Sequence, residues 1–268
     1  MLPICPTIVL YEHPLSPYAQ KTKIALREKG IEFESKTPNV SGGGFGGDKF
    51  LEANPRAEIP ALIDGDVKIF DSKIILEYIE DKWPSQALLP SNPVERARVR
   101  TLQEVMDTYY EPINWGLGEI NFFGRAKGEL ADTIVGNAKQ QAALCRQWLT
   151  KQLGDREWFN GDRFGWGDLC VVPHINVSSI AFGIAPEADS PLADWLLRVN
   201  VRPSVAQTLQ EANDSIAGLE QFSHLVEQGL FKREYRDHRL EWMIRMGGLQ
   251  VVLDGIEKDN IRFSYDFS

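Results

Sequence analysis

The sequence is short of cysteine, of long apolar runs and of basic clusters, and each shortage removes a class of protein. Cys5, Cys145 and Cys170 are the only cysteines in 268 residues and lie far apart, so no disulfide framework is implied. Together with His13, His174, His224 and His238 they show no metal-ligand spacing, and no metal is expected. The longest apolar runs, such as residues 169–173, are far too short to cross a bilayer, so no membrane partner is expected. The opening stretch MLPICPTIVLYEHP lacks the basic start, apolar core and small-residue cleavage site of a secretory signal. No Lys/Arg block interrupts a net charge of −9, which leaves no electrostatic footprint for nucleic acid or anionic lipid. A small anionic ligand held by a local site remains compatible with that charge. The scattered thiols point to a reducing, cytoplasmic setting.

What is present reads first as alternating strands and helices. Residues 7–11 (TIVLY) form a short β-branched, aromatic run, hence a buried strand. After the loop 12–15, Ser16-Pro17 opens an amphipathic helix to about Lys29, and Gly30 stops it. A second strand over 31–36 completes a parallel βαβ unit. The glycine-rich stretch 41–47 (SGGGFGG) lacks the Lys-Ser/Thr of a phosphate-binding loop and follows the second strand, so a surface loop is expected. A short helix over 48–54 ends at Asn54-Pro55. Residues 61–64 and 67–70 then flank Gly65-Asp66, a hairpin signal. Asp71-Ser72 caps a helix to about Trp83, and the Pro-rich stretch 84–93 reads as a linker.

The rest reads as helix. Leu102, Val105, Met106, Tyr109 and Ile113 make a regular i, i+3/i+4 stripe. Further helices are expected over 133–153, 168–180, 192–200 and 204–212, the second strongly apolar and the last two separated by the Arg202-Pro203 break. Four segments follow from this pattern: residues 1–84, a linker at 85–95, a helical domain at 96–230 and an extension at 231–268.

Three constellations carry chemistry. At Ser16-Pro17 a favoured N-cap precedes a favoured first helical residue. Beyond capping, such a helix start gathers a hydroxyl and a positive dipole end where an anion can sit. Lowering a thiol pKa from about 8.5 to about 6.5 needs roughly 2.7 kcal/mol of thiolate stabilisation. One hydrogen bond to the charged sulfur offers roughly 1.5–3 kcal/mol, and the helix end adds about 0.3–1 kcal/mol. No general base is required, and His13 reads as a loop histidine. At Ile59-Pro60 the proline is either a strand-edge residue or a cis-proline exposing the Ile59 backbone to an extended peptide, with trans the default. At Asp71-Ser72 the helix cap doubles as a holder for an amino-acid head group.

In order and spacing, LYEHPLSPYAQKTKIALREKGIEFE, FLEANPRAEIPALID and IFDSKIILEYIEDKWP resemble the N-terminal domain of soluble, cytosolic glutathione transferases of serine type. FNGDRFGWGDLCVVPHI resembles the start of the buried helix of that family's second domain, with Asp168 at its N-capping aspartate. The resemblance implies a thioredoxin-like α/β domain followed by an all-α domain. It implies glutathione as co-substrate, a homodimer, and a glutathione site of Leu15, Ser16, Glu58, Ile59, Pro60, Asp71 and Ser72. Ser16 is the catalytic residue, Ile59-Pro60 the cis-proline step and Asp71-Ser72 the γ-glutamyl site. SPYAQKT resembles the omega-class loop, but Ser16 stands at the position of that class's cysteine, which argues against disulfide exchange. Cys5-Pro6 precedes a strand rather than a helix. The motif of maleylacetoacetate isomerases is absent. Gly46-Gly47 occupies a segment where many members carry Lys or His, leaving Lys49 as the candidate for the glycyl carboxylate. Gly165 stands where the family's capping box has Ser or Thr, which weakens that cap.

An apolar electrophile, of aromatic kind, is expected to meet His13, Leu15, Tyr109, Tyr110, Trp115, Phe122, Phe123 and Arg125. A glutathione-dependent lyase or biosynthetic step, and a non-catalytic carrier of apolar ligands, stand as alternatives. In the extension, Phe231, Tyr235, Trp242 and Met246 can share one face of a helix, Gly247-Gly248 breaks it, and residues 249–256 form another. Residues 261–267 alternate apolar and polar, as an extended segment does. So many aromatics are expected to pack on the outside of the helical domain, or else over the electrophile site or against the partner subunit.

Overall fold

The computed structural model describes residues 8–41, 44–216, 224–230, 232–235 and 238–261. The chain opens with β1 (Ile8–Tyr11), α1 (Pro17–Glu28) and β2 (Phe33–Lys36). Next come the short pair β3 (Asn39–Ser41) and β4 (Gly44–Gly46), then α2 (Asp48–Ala53), β5 (Ala61–Asp64), β6 (Val67–Phe70) and α3 (Ser72–Lys82). The main sheet runs β2-β1-β5-β6, parallel between β1 and β2 and antiparallel elsewhere. This is the thioredoxin-like arrangement. Thr7, Cys5 and Pro6 lie outside the described residues.

A helical region follows: α4 (Pro93–Val105), a wide turn over Met106–Tyr110, α5 (Glu111–Asn121), α6 (Gly128–Leu153), α7 (Trp166–Phe182), α8 (Pro191–Asn200) and α9 (Pro203–Ile216). Its core gathers Tyr110, Phe159, Trp166, Cys170 and Trp195, and draws in Ile24 and Ala25 of α1 and Leu76 of α3. A smaller core of Ile8, Leu10, Leu26, Leu62, Ile75 and Ile79 lies under the sheet. No helix among the described residues is long and apolar enough to cross a membrane.

Several expectations are corrected. The glycine-rich stretch is not a plain loop, because Asn39, Val40 and Ser41 pair with Gly46, Phe45 and Gly44. Helix α6 starts at Gly128, five residues before the expected Thr133. The stripe from Leu102 to Ile113 is not one regular helix. Pro112 has no N–H to give to the carbonyl four residues back, and its ring would crowd that carbonyl. The turn widens instead, with the Glu111 N–H bonding the Met106 carbonyl. The extra residue turns Tyr110 into the core.

Gly165 is explained by space. A Cβ there would lie 2.4 Å from the Leu88 carbonyl and 2.2 Å from the Asn160 amide, closer than packing allows. The cap expected to be weak is supplied by Asp168. Its carboxylate accepts the N–H groups of Gly165, Phe159 and Asn160 and the Trp195 indole N–H. Burial pushes the Asp168 carboxyl up to about 6, against the pull of those donors.

In the extension, α10 covers only His238–Arg245, and α11 covers Leu249–Glu257. Tyr235 precedes the helix rather than sharing its face. Trp242 and Met246 are 61 % and 59 % exposed, contrary to the expected packing on this chain's own helical domain. Phe231 and residues 262–267 lie outside the described residues.

α1 carries buried cations. Lys21, fully buried, bonds both oxygens of Asp107 at 2.7 and 2.6 Å. Lys23, equally buried, meets Glu12 at 3.2 Å and Glu211 at 2.6 Å. Arg27 bonds Thr208 and Glu211, and Lys29 meets Glu80 at 2.8 Å. Burial alone would raise the Asp107 pKa, but the Lys21 ammonium and His174 beside it hold the carboxyl below the ordinary carboxylate value. Stability from this pair is therefore complete above the unfolded pKa of about 4 and is lost as pH falls through the lower folded value. Lys21→Met or Asp107→Leu alone should cost about 3–5 kcal/mol in urea unfolding at pH 7, and the double variant less than the sum of the two.

Candidate functional site

The strand register gathers the three constellations. Tyr11, the last residue of β1, pairs with Ala61, the first of β5, and Ala61 pairs with Phe70, the last of β6. The loop to Ser16, the Ile59-Pro60 step and the Asp71-Ser72 cap therefore leave the same edge of the sheet. Two inter-strand steps span about 10 Å, the length of an extended tripeptide at about 3.3 Å per residue.

Ser16 caps α1, accepting the Ala19 N–H in a long contact of 3.4 Å, with Pro17 at the first helical position. Among the described residues nothing accepts the Ser16 hydroxyl hydrogen, which is left for a ligand. Leu15 donates its N–H to His13 Nδ1 at 3.3 Å, and Ser16 donates its own to the His13 carbonyl at 2.9 Å. Those bonds fold the loop tightly. They also aim the His13 ring at Phe45, 6.4 Å away on the short β3–β4 pair. Burial lowers the His13 pKa, with Glu12 opposing and Lys23 reinforcing. The ring is therefore neutral near pH 7.

The Ile59-Pro60 bond is cis, and neither the Ile59 N–H nor its carbonyl enters a hydrogen bond among the described residues. Both are therefore open to a hydrogen-bonding partner. Glu58 just before them gives its carbonyl to the Asn54 amide at 2.7 Å and pairs with Arg56 at 3.0 Å. Asp71 is exposed and sits at φ 71°, ψ 121°, a region that costs a non-glycine residue about 1–3 kcal/mol. Its Oδ1 accepts the Lys73 N–H at 2.9 Å, leaving Oδ2 toward solvent. Ser72 is only 6 % exposed, with its hydroxyl free of any partner among the described residues. Strain, an exposed carboxylate and an unengaged hydroxyl coincide at this corner.

Beside the edge, a cleft of about 430 Å³ is bounded by Tyr11, Lys36, Asn39, Gly46, Lys49 and Phe50, among others. Lys49 lines it, so the one cation expected near a ligand carboxylate does border open space. Ser16, Ile59 and Ser72 do not line this cleft.

The residues expected around an electrophile do not all come together. His13 and Leu15 lie on the loop. Tyr109 is half-buried against the helical core. Tyr110 is a correction: it is 0 % exposed and its hydroxyl meets Ser178 Oγ at 2.9 Å, so it is a core residue and cannot contact a ligand. Trp115, Phe123 and Arg125 collect at the far end of α5. Phe122 instead packs on Phe182, with centroids 5.6 Å apart. Two residues that the sequence did not single out join the group. Glu119 of α5 is buried, and Arg233 of the extension reaches it at 2.5 Å. Tyr18 ties the start of α1 to the wide turn, its hydroxyl donating to the Asp107 carbonyl at 2.9 Å. Trp115 lies eight residues further along the same helical run, about 12 Å at 1.5 Å per residue.

Residues 6–81 match the family model of the glutathione S-transferase N-terminal domain. Glutathione S-transferase U28 of Arabidopsis thaliana is 32 % identical over 211 residues, 76 % of this chain and 89 % of that protein. Among solved structures, the tau-class glutathione S-transferase of mango superposes with a TM-score of 0.66 at 27 % identity, covering 82 % of this chain and 98 % of that one. A rice glutathione S-transferase solved in complex with glutathione gives 0.68 at 27 % identity, covering 81 % and 96 %. A relative matched at that identity over nearly nine-tenths of its length settles what the strand-end geometry suggests: the chain belongs to the glutathione S-transferases.

Proposed function

We propose that this transferase adds the thiolate of glutathione to apolar electrophiles, aromatic ones above all, with Ser16 as the donor that holds the thiolate. The observation that carries the reading is the register Tyr11–Ala61–Phe70, which sets three ligand-facing groups along one edge at tripeptide spacing. Ser16 offers a hydroxyl hydrogen at a helix start, where negative charge is favoured. Ile59 pairs the cysteinyl backbone, beside Pro60. Ser72 takes the γ-glutamyl carboxylate and Asp71 its ammonium. Leu15 and Glu58 border the site, and Lys49 is the cation for the glycyl carboxylate. On this reading residues 1–84 bind glutathione, 85–95 link, 96–230 shape the electrophile site, and 231–268 extend it.

A direct thiolate mechanism suits these residues. Tyr18 has its hydroxyl committed to Asp107, so Ser16 has no rival within its own helix turn. Cys145 and Cys170 are buried and unpaired, with burial pushing the Cys145 thiol up to about 12 and raising Cys170 as well. Neither supplies a thiolate, in keeping with conjugation in a reducing cytoplasm. The family's two-fold homodimer is part of the same proposal.

Ser72→Ala should weaken glutathione binding by about 1–2 kcal/mol, the worth of one hydrogen bond to a charged group; unchanged calorimetric affinity removes Ser72 from the site. Ser16→Ala should leave affinity nearly intact and raise the bound thiol pKa by about 1–2 units, read by ultraviolet titration of the thiolate. Ser16→Cys should form a mixed disulfide with oxidised glutathione, and absence of the adduct in a mass spectrum would show that position 16 does not face the sulfur. Light scattering at micromolar concentration should return a dimer mass, and a monomer mass contradicts the assembly.

A further inference from the structure

We propose that Arg233 is a specificity-determining residue: a removable cap on the aromatic end of the electrophile site that sets how large a substrate enters. The proposal rests on the electrophile-site reading above and adds to it the element that controls admission.

Glu119 is the centre of the arrangement. Its side chain is 5 % exposed, so its charge needs a partner. Arg233 Nε provides one at 2.5 Å, from a side chain only 15 % exposed. The Tyr235 hydroxyl donates to the other oxygen at 3.2 Å. The Arg233 guanidinium lies 4.1 Å from the Phe123 ring centroid and 5.3 Å from that of Trp115. Tyr235 closes the other side, edge-on to Trp115 at 4.4 Å. A guanidinium is flat and stacks on aromatic faces as an arene would. Arg233 thus occupies the stacking surface that a large planar electrophile needs.

Two features make the cap removable. Arg125, 47 % exposed, holds its Nε 3.7 Å from the same Glu119 carboxylate. When Arg233 leaves, Glu119 keeps a cation within reach, and no lone charge is stranded. Beyond the cap, Trp242, Met246, Val251 and Ile256 are 55–61 % exposed. Lifting residues 232–235 therefore does not require tearing those side chains out of a core. A one-ring electrophile can reach the thiolate while Arg233 stays in place. A fused-ring one must displace it.

The test uses the full chain with glutathione and two halonitroarenes, one single-ring and one fused-ring. Arg233→Ala should raise the ratio of kcat/KM for the large over the small substrate about tenfold, the worth of the stacked, paired guanidinium. The bound thiol titration should not move. Arg233→Lys keeps a charge on Glu119 but loses the flat contact, and should give an intermediate ratio; it carries the test if the alanine variant fails to fold. Trp115→Ala serves as the control on the site itself. If it changes KM while both Arg233 variants lower only the melting temperature and leave the ratio alone, Arg233 is packing and the cap is wrong, with the site reading intact. If Trp115→Ala also leaves both substrates unaffected, the electrophile site lies elsewhere, and the cap falls with it.

Discussion

The pairing of the α1 cations with carboxylates is the interaction on which the rest depends. Lys21 and Lys23 are buried on a helix whose N-cap is Ser16, the residue proposed to hold the thiolate. An ammonium in such a place is tolerable only with a carboxylate in contact. Asp107, Glu12 and Glu211 provide those contacts, from the wide turn, the active-site loop and α9 respectively. Asp107 and Glu211 tie α1 to the helical region, and Glu12 ties it to the loop that follows β1. The wide turn matters for the same reason: by adding a residue before Pro112, it aims Asp107 at Lys21 and Tyr110 into the core at once.

The elements that were legible in the sequence are those determined by neighbours in the chain. Strands 61–64 and 67–70 declare themselves through Gly65-Asp66, and the starts of α1 and α3 through their caps. The proposed glutathione contacts were legible for the same reason, since Ser16 and Asp71 cap the two helices that start at that end of the sheet. What escaped is nonlocal. Lys21 and Lys23 look like solvent-facing residues on an amphipathic helix, because lysine is rarely buried and the Lys21 partner lies 86 residues away. Glu119 and Arg233 are 114 residues apart, and no spacing rule connects them. Tyr110 was misplaced because a regular 3.6-residue period was carried through a turn that Pro112 widens. The β3–β4 pair was missed because glycine weakens strand signals, although Phe45 needs a face to pack on and finds His13 there.

The glutathione edge and the electrophile end differ in rigidity. The edge is set by backbone register within four hydrogen-bonded strands, so ligand spacing there does not depend on long side chains. The proposed electrophile end is assembled from side chains on and after α5 and from residues 232–235. On the proposed reading, a site divided in this way keeps its co-substrate constant while its acceptor range depends on a few side-chain contacts, in line with binding residues gathering on segments that a rigid scaffold positions.

The α1 pairings also bear on the order in which the protein can complete itself during synthesis. Arg27 waits for Thr208 and Glu211, 181 and 184 residues later in the chain, and Glu28 waits for Arg202, 174 residues later. Closing so long a loop adds little free energy, about 0.6 kcal/mol for each doubling of length. It does set the timing. While the chain is still on the ribosome, α1 presents charges whose partners have not yet been made, and burial of its Lys23 face must await α9. The first third of the chain, although it contains the whole sheet and the serine, reaches its final packing only after nearly all of the helical region has emerged.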